Sequence, residues 1–155
     1  MAKQVMRRLA SDNEYFHPDF HGALSAGIEY LALRYGDEAV REYLRRFAAA
    51  YYAPLKQAVQ QRGLVALKEY YERVYEREGA KIATELSRDE LLVRIEACPA
   101  VMHMRKRGYR VARLFHETTR TVNDVLCEDT PFAAELVEYD PETGRAVVRF
   151  RRRMP

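Results

Sequence analysis

The stretch Glu90–Ala97 constrains this chain more than any other. Leu91, Val93, Ile95 and Ala97 alternate with Leu92, Arg94 and Glu96, the period of two that marks a strand with one buried face. The alternation runs into Cys98-Pro99. Proline lacks a backbone N–H and biases the preceding residue towards extended backbone, so the strand is expected to stop at Cys98. Pro99 suits the first turn of a short helix through Met104. One thiol is thereby delivered to a strand-to-helix junction, near the positive end of a helix dipole, where a thiolate is favoured.

Upstream the period is helical. His17-Pro18-Asp19 opens a helix whose core face is Leu24, Ile28, Leu31 and Tyr35, with Gly36 as its stop. A second begins at Asp37 and runs to Gly63 on Val40, Tyr43/Leu44, Phe47, Tyr51, Leu55 and Val59; Pro54 should kink or split it. A third uses Leu64, Leu67, Tyr71 and Val74. After Gly79, Ile82–Leu86 and the alternating stretch make a hairpin around Ser87-Arg88-Asp89. Beyond Gly108 a longer helix is expected on Val111, Leu114/Phe115, Thr118, Val122 and Val125/Leu126. Phe132–Tyr139 and Arg145–Arg152 then flank Asp140-Pro141-Glu142-Thr143-Gly144, a second hairpin.

The expected fold is α+β, a helical layer on a four-stranded antiparallel sheet made of the two hairpins. With 155 residues, 48% of them hydrophobic, the chain reads as an arm over residues 1–16 and one domain over 17–155. Its 26 basic and 23 acidic residues are too evenly matched for a nucleic-acid binder. The N-terminus is too polar for a signal peptide, and no window approaches the ~18 apolar residues of a membrane span. Cys98 and Cys127 form no close-spaced pair and read as reduced thiols, so a cytoplasmic location is expected.

Four groups of residues could carry chemistry. Cys98 is either a nucleophile with a depressed pKa or a small buried hydrophobe, whereas Cys127 ends a helix and reads as structural. His116 opens an unusually polar helical stretch, where Thr118 and Asn123 could line a pocket and His116 act as general acid or base. Arg94 or Arg120 could receive an anionic ligand. His17 and His21 resemble half a metal site; a divalent ion such as zinc would need His103 or His116 from the other half of the chain. Otherwise no cofactor is expected.

With these elements in place, Leu92-Val93-Arg94-Ile95-Glu96-Ala97-Cys98-Pro99, preceded by a helical half and followed by helix and hairpin, resembles the L-2-amino-thiazoline-4-carboxylic acid hydrolase family. The resemblance spans about Gly36 to Arg152, and by motif it carries over Cys98 and Pro99 alone. It implies a small α+β domain and, in the family's named member, hydrolytic opening of a thiazoline ring. It also implies likeness to small-ligand domains of the vinyl-reductase and haem-nitric-oxide-binding type, which often sense rather than catalyse. Two functions follow as expectations. One is C–N hydrolysis of a cyclic amidine or amide by Cys98 with His116 or His103, the substrate held by Arg94, Thr118, Arg120 and Asn123. The other is a non-catalytic module that binds a small molecule and signals through a homodimer face.

Overall fold

The computed structural model describes residues 18–154; the arm expected over residues 1–16, and His17, lie outside them. The elements run α1 (Pro18–Tyr35), α2 (Asp37–Tyr51), α3 (Ala53–Arg62), α4 (Leu64–Arg77), β1 (Ile82–Leu86), β2 (Glu90–Ile95), α5 (Pro99–Arg107), α6 (Glu117–Cys127), β3 (Phe132–Tyr139) and β4 (Ala146–Arg152). The fold is α+β. The four strands form one antiparallel sheet of order β1-β2-β4-β3. Each hairpin is self-paired, and the two join where Val93 meets Val148 and Leu91 meets Phe150.

Alternation decides the two faces of the sheet. Leu91, Val93, Val148 and Phe150, all at most 1% exposed, point at the helices. There they pack with Leu67 and Tyr71 of α4 and with Val122, Val125 and Leu126 of α6. The opposite face is polar: Arg94 pairs with Glu85, and Arg149 lies 3.7 Å from Glu90 and 3.6 Å from Glu135. A second apolar cluster joins Ile28 of α1, Val40 and Leu44 of α2, and Val101 and Met104 of α5.

The run from Asp37 to Gly63 is two helices broken at Tyr52, as Pro54 predicts, because a proline ring inside α3's first turn cannot continue α2. Two boundaries depart from the pattern in the sequence. The expected strand stops at Ile95, short of Cys98. The helix after Gly108 begins only at Glu117. The reason lies in α1: buried Ser25 donates its Oγ hydrogen to the Arg110 carbonyl (2.9 Å) and accepts the Ala112 N–H (2.8 Å). Backbone groups a helix would have used are thus held by a side chain, and residues 109–116 lie as a strap across α1. Tyr35, Tyr43 and Tyr51, expected in the core, are instead exposed. They fall at the edges of their stripes, where a phenol can keep its hydroxyl wet. No helix of the described residues is long and apolar enough to cross a membrane.

Candidate functional site

The junction after β2 is tied to the second hairpin. The Cys98 N–H donates to the Thr143 carbonyl (2.9 Å), which fixes α5's start against the turn between β3 and β4. That turn is held from within: the Thr143 hydroxyl and the Glu142 N–H both donate to the Asp140 carboxylate, at 2.6 and 3.0 Å. Gly144 closes it with φ of 67°, and a Cβ there would run into Cys98 and Val101. Only glycine satisfies both the backbone angle and the close approach.

Cys98 caps α5 with extended backbone, and Pro99 sits in the helix's first turn, as the motif predicts. Its acidity runs against the expectation. Burial pushes the thiol above its ordinary range, and the Glu78 carboxylate adds to the rise. The N–H groups of Ala100 and Val101 pull the other way and are outweighed. A depressed pKa is therefore not what this junction produces. Loss of water at the sulfur exceeds the benefit of the helix end.

Two tyrosines share the sulfur's surroundings. Tyr139 ends β3 and Tyr75 lies on α4. Burial raises both phenols, Tyr139 to about 12, and proximity to the Cys98 sulfur is the next cause in each case. Among the described residues neither hydroxyl has a hydrogen-bond partner. The His116 imidazole lies against the Tyr139 ring, centroids 5.7 Å apart. Its Nδ1 is 3.3 Å from the Arg113 carbonyl. Cys98 and His116, 18 positions apart in the chain, thus both lie near the same tyrosine.

Behind His116 stands a residue the sequence reading missed. Glu117 is 1% exposed, accepts from the Thr121 hydroxyl (2.7 Å) and from Arg41 Nε (3.1 Å), and lies 3.7 Å from His116 Nε2. Burial pushes its carboxyl up, but the Thr121 and Arg41 hydrogen bonds prevail and leave it below the usual carboxylate range. It is a buried charge that ties α6 to α2. The polar run His116–Asn123 was the available signal; which carboxylate would be buried depended on Arg41, 76 residues away.

The other candidates disperse. Arg94 emerges on the polar face of the sheet, paired with Glu85, because alternation opposes it to Val93 and Ile95. Thr118 turns its hydroxyl back to the Phe115 carbonyl (2.7 Å), a local bond rather than a pocket wall. Asn123 is buried and donates from Nδ2 to the Tyr71 hydroxyl (2.8 Å), deep in the core. Arg120 is exposed on α6 near Asp124. His103 belongs to a separate grouping on α5, beside Tyr109 (6.3 Å between rings) and near His21 of α1. Burial lowers the His21 pKa, and the His103 ring lowers it further. Two histidines of the expected metal set are thus near enough for one to act on the other's charge, while His17 lies outside the described residues. Among the described residues no three His, Cys, Asp or Glu side chains gather as metal ligands would.

A separate cleft of about 230 Å³ opens between α1 and the strap, lined by Ile28, Leu33, Arg110 and Arg113 among others. Its two guanidiniums are already engaged, Arg113 with Asp37 (2.6 Å) and Arg110 near Glu29 (3.8 Å). No protein-family model matches the chain, and no curated protein matches it.

Proposed function

We propose that this chain is a small-molecule-binding module whose ligand is held at the Tyr139 end of the helix–sheet interface. One observation carries the reading. The His116 ring lies against Tyr139, the Cys98 thiol is near enough to act on the Tyr139 and Tyr75 phenols, and no described residue hydrogen-bonds either hydroxyl. Neither hydroxyl oxygen is among the buried polar atoms left without a partner, so both stay open to water, and a ligand with its own donors and acceptors would take that water's place. A thiol with a raised pKa is mostly protonated near neutrality, which favours holding a ligand over attacking one.

Hydrolysis is the second reading, favoured by the place of Cys98 at the N-terminus of α5. There the Ala100 and Val101 N–H groups act to lower the thiol's pKa, though neither makes a capping hydrogen bond to the side chain. In this reading the Cys98 sulfur bonds to an amidine-like carbon as its proton passes to His116. The adduct breaks the ring bond to a heteroatom that takes that proton, and water then displaces the sulfur to release the opened product and the thiol. The 2-amino-thiazoline-4-carboxylate that gives the resembled family its name serves as probe for both. Binding alone raises the melting temperature in a concentration-dependent way without consuming the probe. Ring opening that disappears in Cys98→Ser would replace the binding account with the hydrolytic one.

A further inference from the structure

α1 is apolar on more sides than the described residues cover. Ser25 and Ile28 are buried against α2, α5 and the strap, with Leu24, Leu31 and Ala32 beside them. On the other side Phe20 is 54% exposed, Tyr30 59% and Leu33 80%, with Ala23, Ala26 and Gly27 exposed between them. At 3.6 residues per turn these six positions form one stripe about 140° wide. Tyr35 widens it, its ring edge-on to Tyr30 at 6.4 Å. A helix apolar all round belongs in an interior.

We propose that this face joins two copies of the chain, α1 packed antiparallel on α1 about a twofold axis passing beside Ala26 and Gly27. The stripe is complementary to itself in that arrangement. Gly27 falls opposite Ala26 of the second copy, Tyr30 opposite Ala23, and Leu33 opposite Phe20. The smallest residues occupy the crossing point, where backbones approach, and a Cβ built on Gly27 meets nothing within 4 Å. Large side chains meet small ones next, and large meet large at both ends. A closed isologous contact requires this symmetry.

The area fits a second copy. Phe20, Tyr30, Leu33 and Tyr35 each leave on the order of 100 Å² of side chain uncovered, so with the alanines the patch is roughly 500 Å². That is near the upper limit of what a monomer shows in one place. With a polar rim that includes exposed Arg34, it approaches the roughly 800 Å² per partner of a specific dimer.

Sedimentation equilibrium of the full chain tests this. A species of twice 18.1 kDa should dominate as concentration rises. Leu33→Asp should weaken it by about 100-fold or more without altering circular dichroism, because Leu33 supports little within one chain. Under mild oxidation Gly27→Cys should give a covalent dimer that the wild type, with Cys98 and Cys127, does not. Leu33→Cys should not, since its two copies would lie roughly 20 Å apart along antiparallel helices. A dimer indifferent to Leu33→Asp, or cross-linked at position 33 and not at 27, would overturn the proposal. So would a chain monomeric at every concentration. In that case a lower melting temperature for Leu33→Asp places the cover in the chain itself, and an unchanged one leaves the face to a different partner.

Discussion

The two ends of α6 show what the same residue types do in different company. Around its last turn polar groups are answered in detail. Asn123 holds the Tyr71 hydroxyl, Thr130 donates to the Cys127 carbonyl at 2.8 Å, and Arg153 reaches the Thr130 carbonyl at 3.0 Å. Cys127, 1% exposed, lies within this network as a plain hydrophobe, its thiol pushed up to about 12 by burial. At the first turn another cysteine and two more tyrosines gather, yet their polar atoms do not satisfy one another. Both ends are built of Cys, Tyr and a polar residue of α6. What separates them is pairing, and an unpaired cluster beside a half-buried thiol is where a ligand gains most.

Mutations at the sealed end should therefore be expensive, and those among the unpaired groups nearly free. Phe150→Ala opens the fully buried centre of the sheet and should lose about 3–5 kcal/mol in denaturant unfolding. Gly144 lies beside Cys98 but is a backbone position rather than one of the unpaired groups; Gly144→Ala, meeting both a positive φ and the Cys98 side chain, should lose about 2–5 kcal/mol. Asn123→Ala strands the buried Tyr71 hydroxyl, and about 1–3 kcal/mol is expected. Tyr139→Phe removes a hydroxyl with no partner and should change stability by less than about 0.5 kcal/mol. Should Tyr139→Phe prove as costly as Asn123→Ala, the contrast between the ends collapses.

Two titrations sharpen the same contrast. In the native protein Cys98 should react with iodoacetamide slowly at neutral pH and faster as pH rises, with a midpoint above that of a free cysteine; Cys127 should lag behind it throughout. Glu117 has a lower pKa folded than its unfolded value near 4.5. Its contribution is thus complete above that value and is lost as pH falls through the depressed folded one. Acid unfolding of Glu117→Gln should accordingly be less steep than that of the wild type.

Much of the architecture could be read from local pattern. Alternation across Leu91–Ile95 and Val148–Phe150 gave the buried face, Pro54 the break between α2 and α3, and Asp140–Gly144 the turn. Local pattern failed where a distant group intervened. Ser25 removed a turn and more from the start of α6, and Arg41 made a buried ion of Glu117. The site suffered most, because it is assembled by tertiary contact alone. Cys98 could be singled out by its motif, but its raised pKa follows from burial in the folded chain, with the Glu78 carboxylate adding to it. Tyr139 itself carries no signal in the sequence beyond its place before a turn.

Amide-resolved NMR with a set of small cyclic amidines and amides would test ligand binding at the Tyr139 end most directly. Binding there predicts shifts concentrated on Cys98, Ala100, His116, Tyr139 and Gly144, absent or displaced in a Tyr75→Phe/Tyr139→Phe double variant. Shifts centred on Arg110 and Arg113 instead, or a double variant that responds like the wild type, would contradict it.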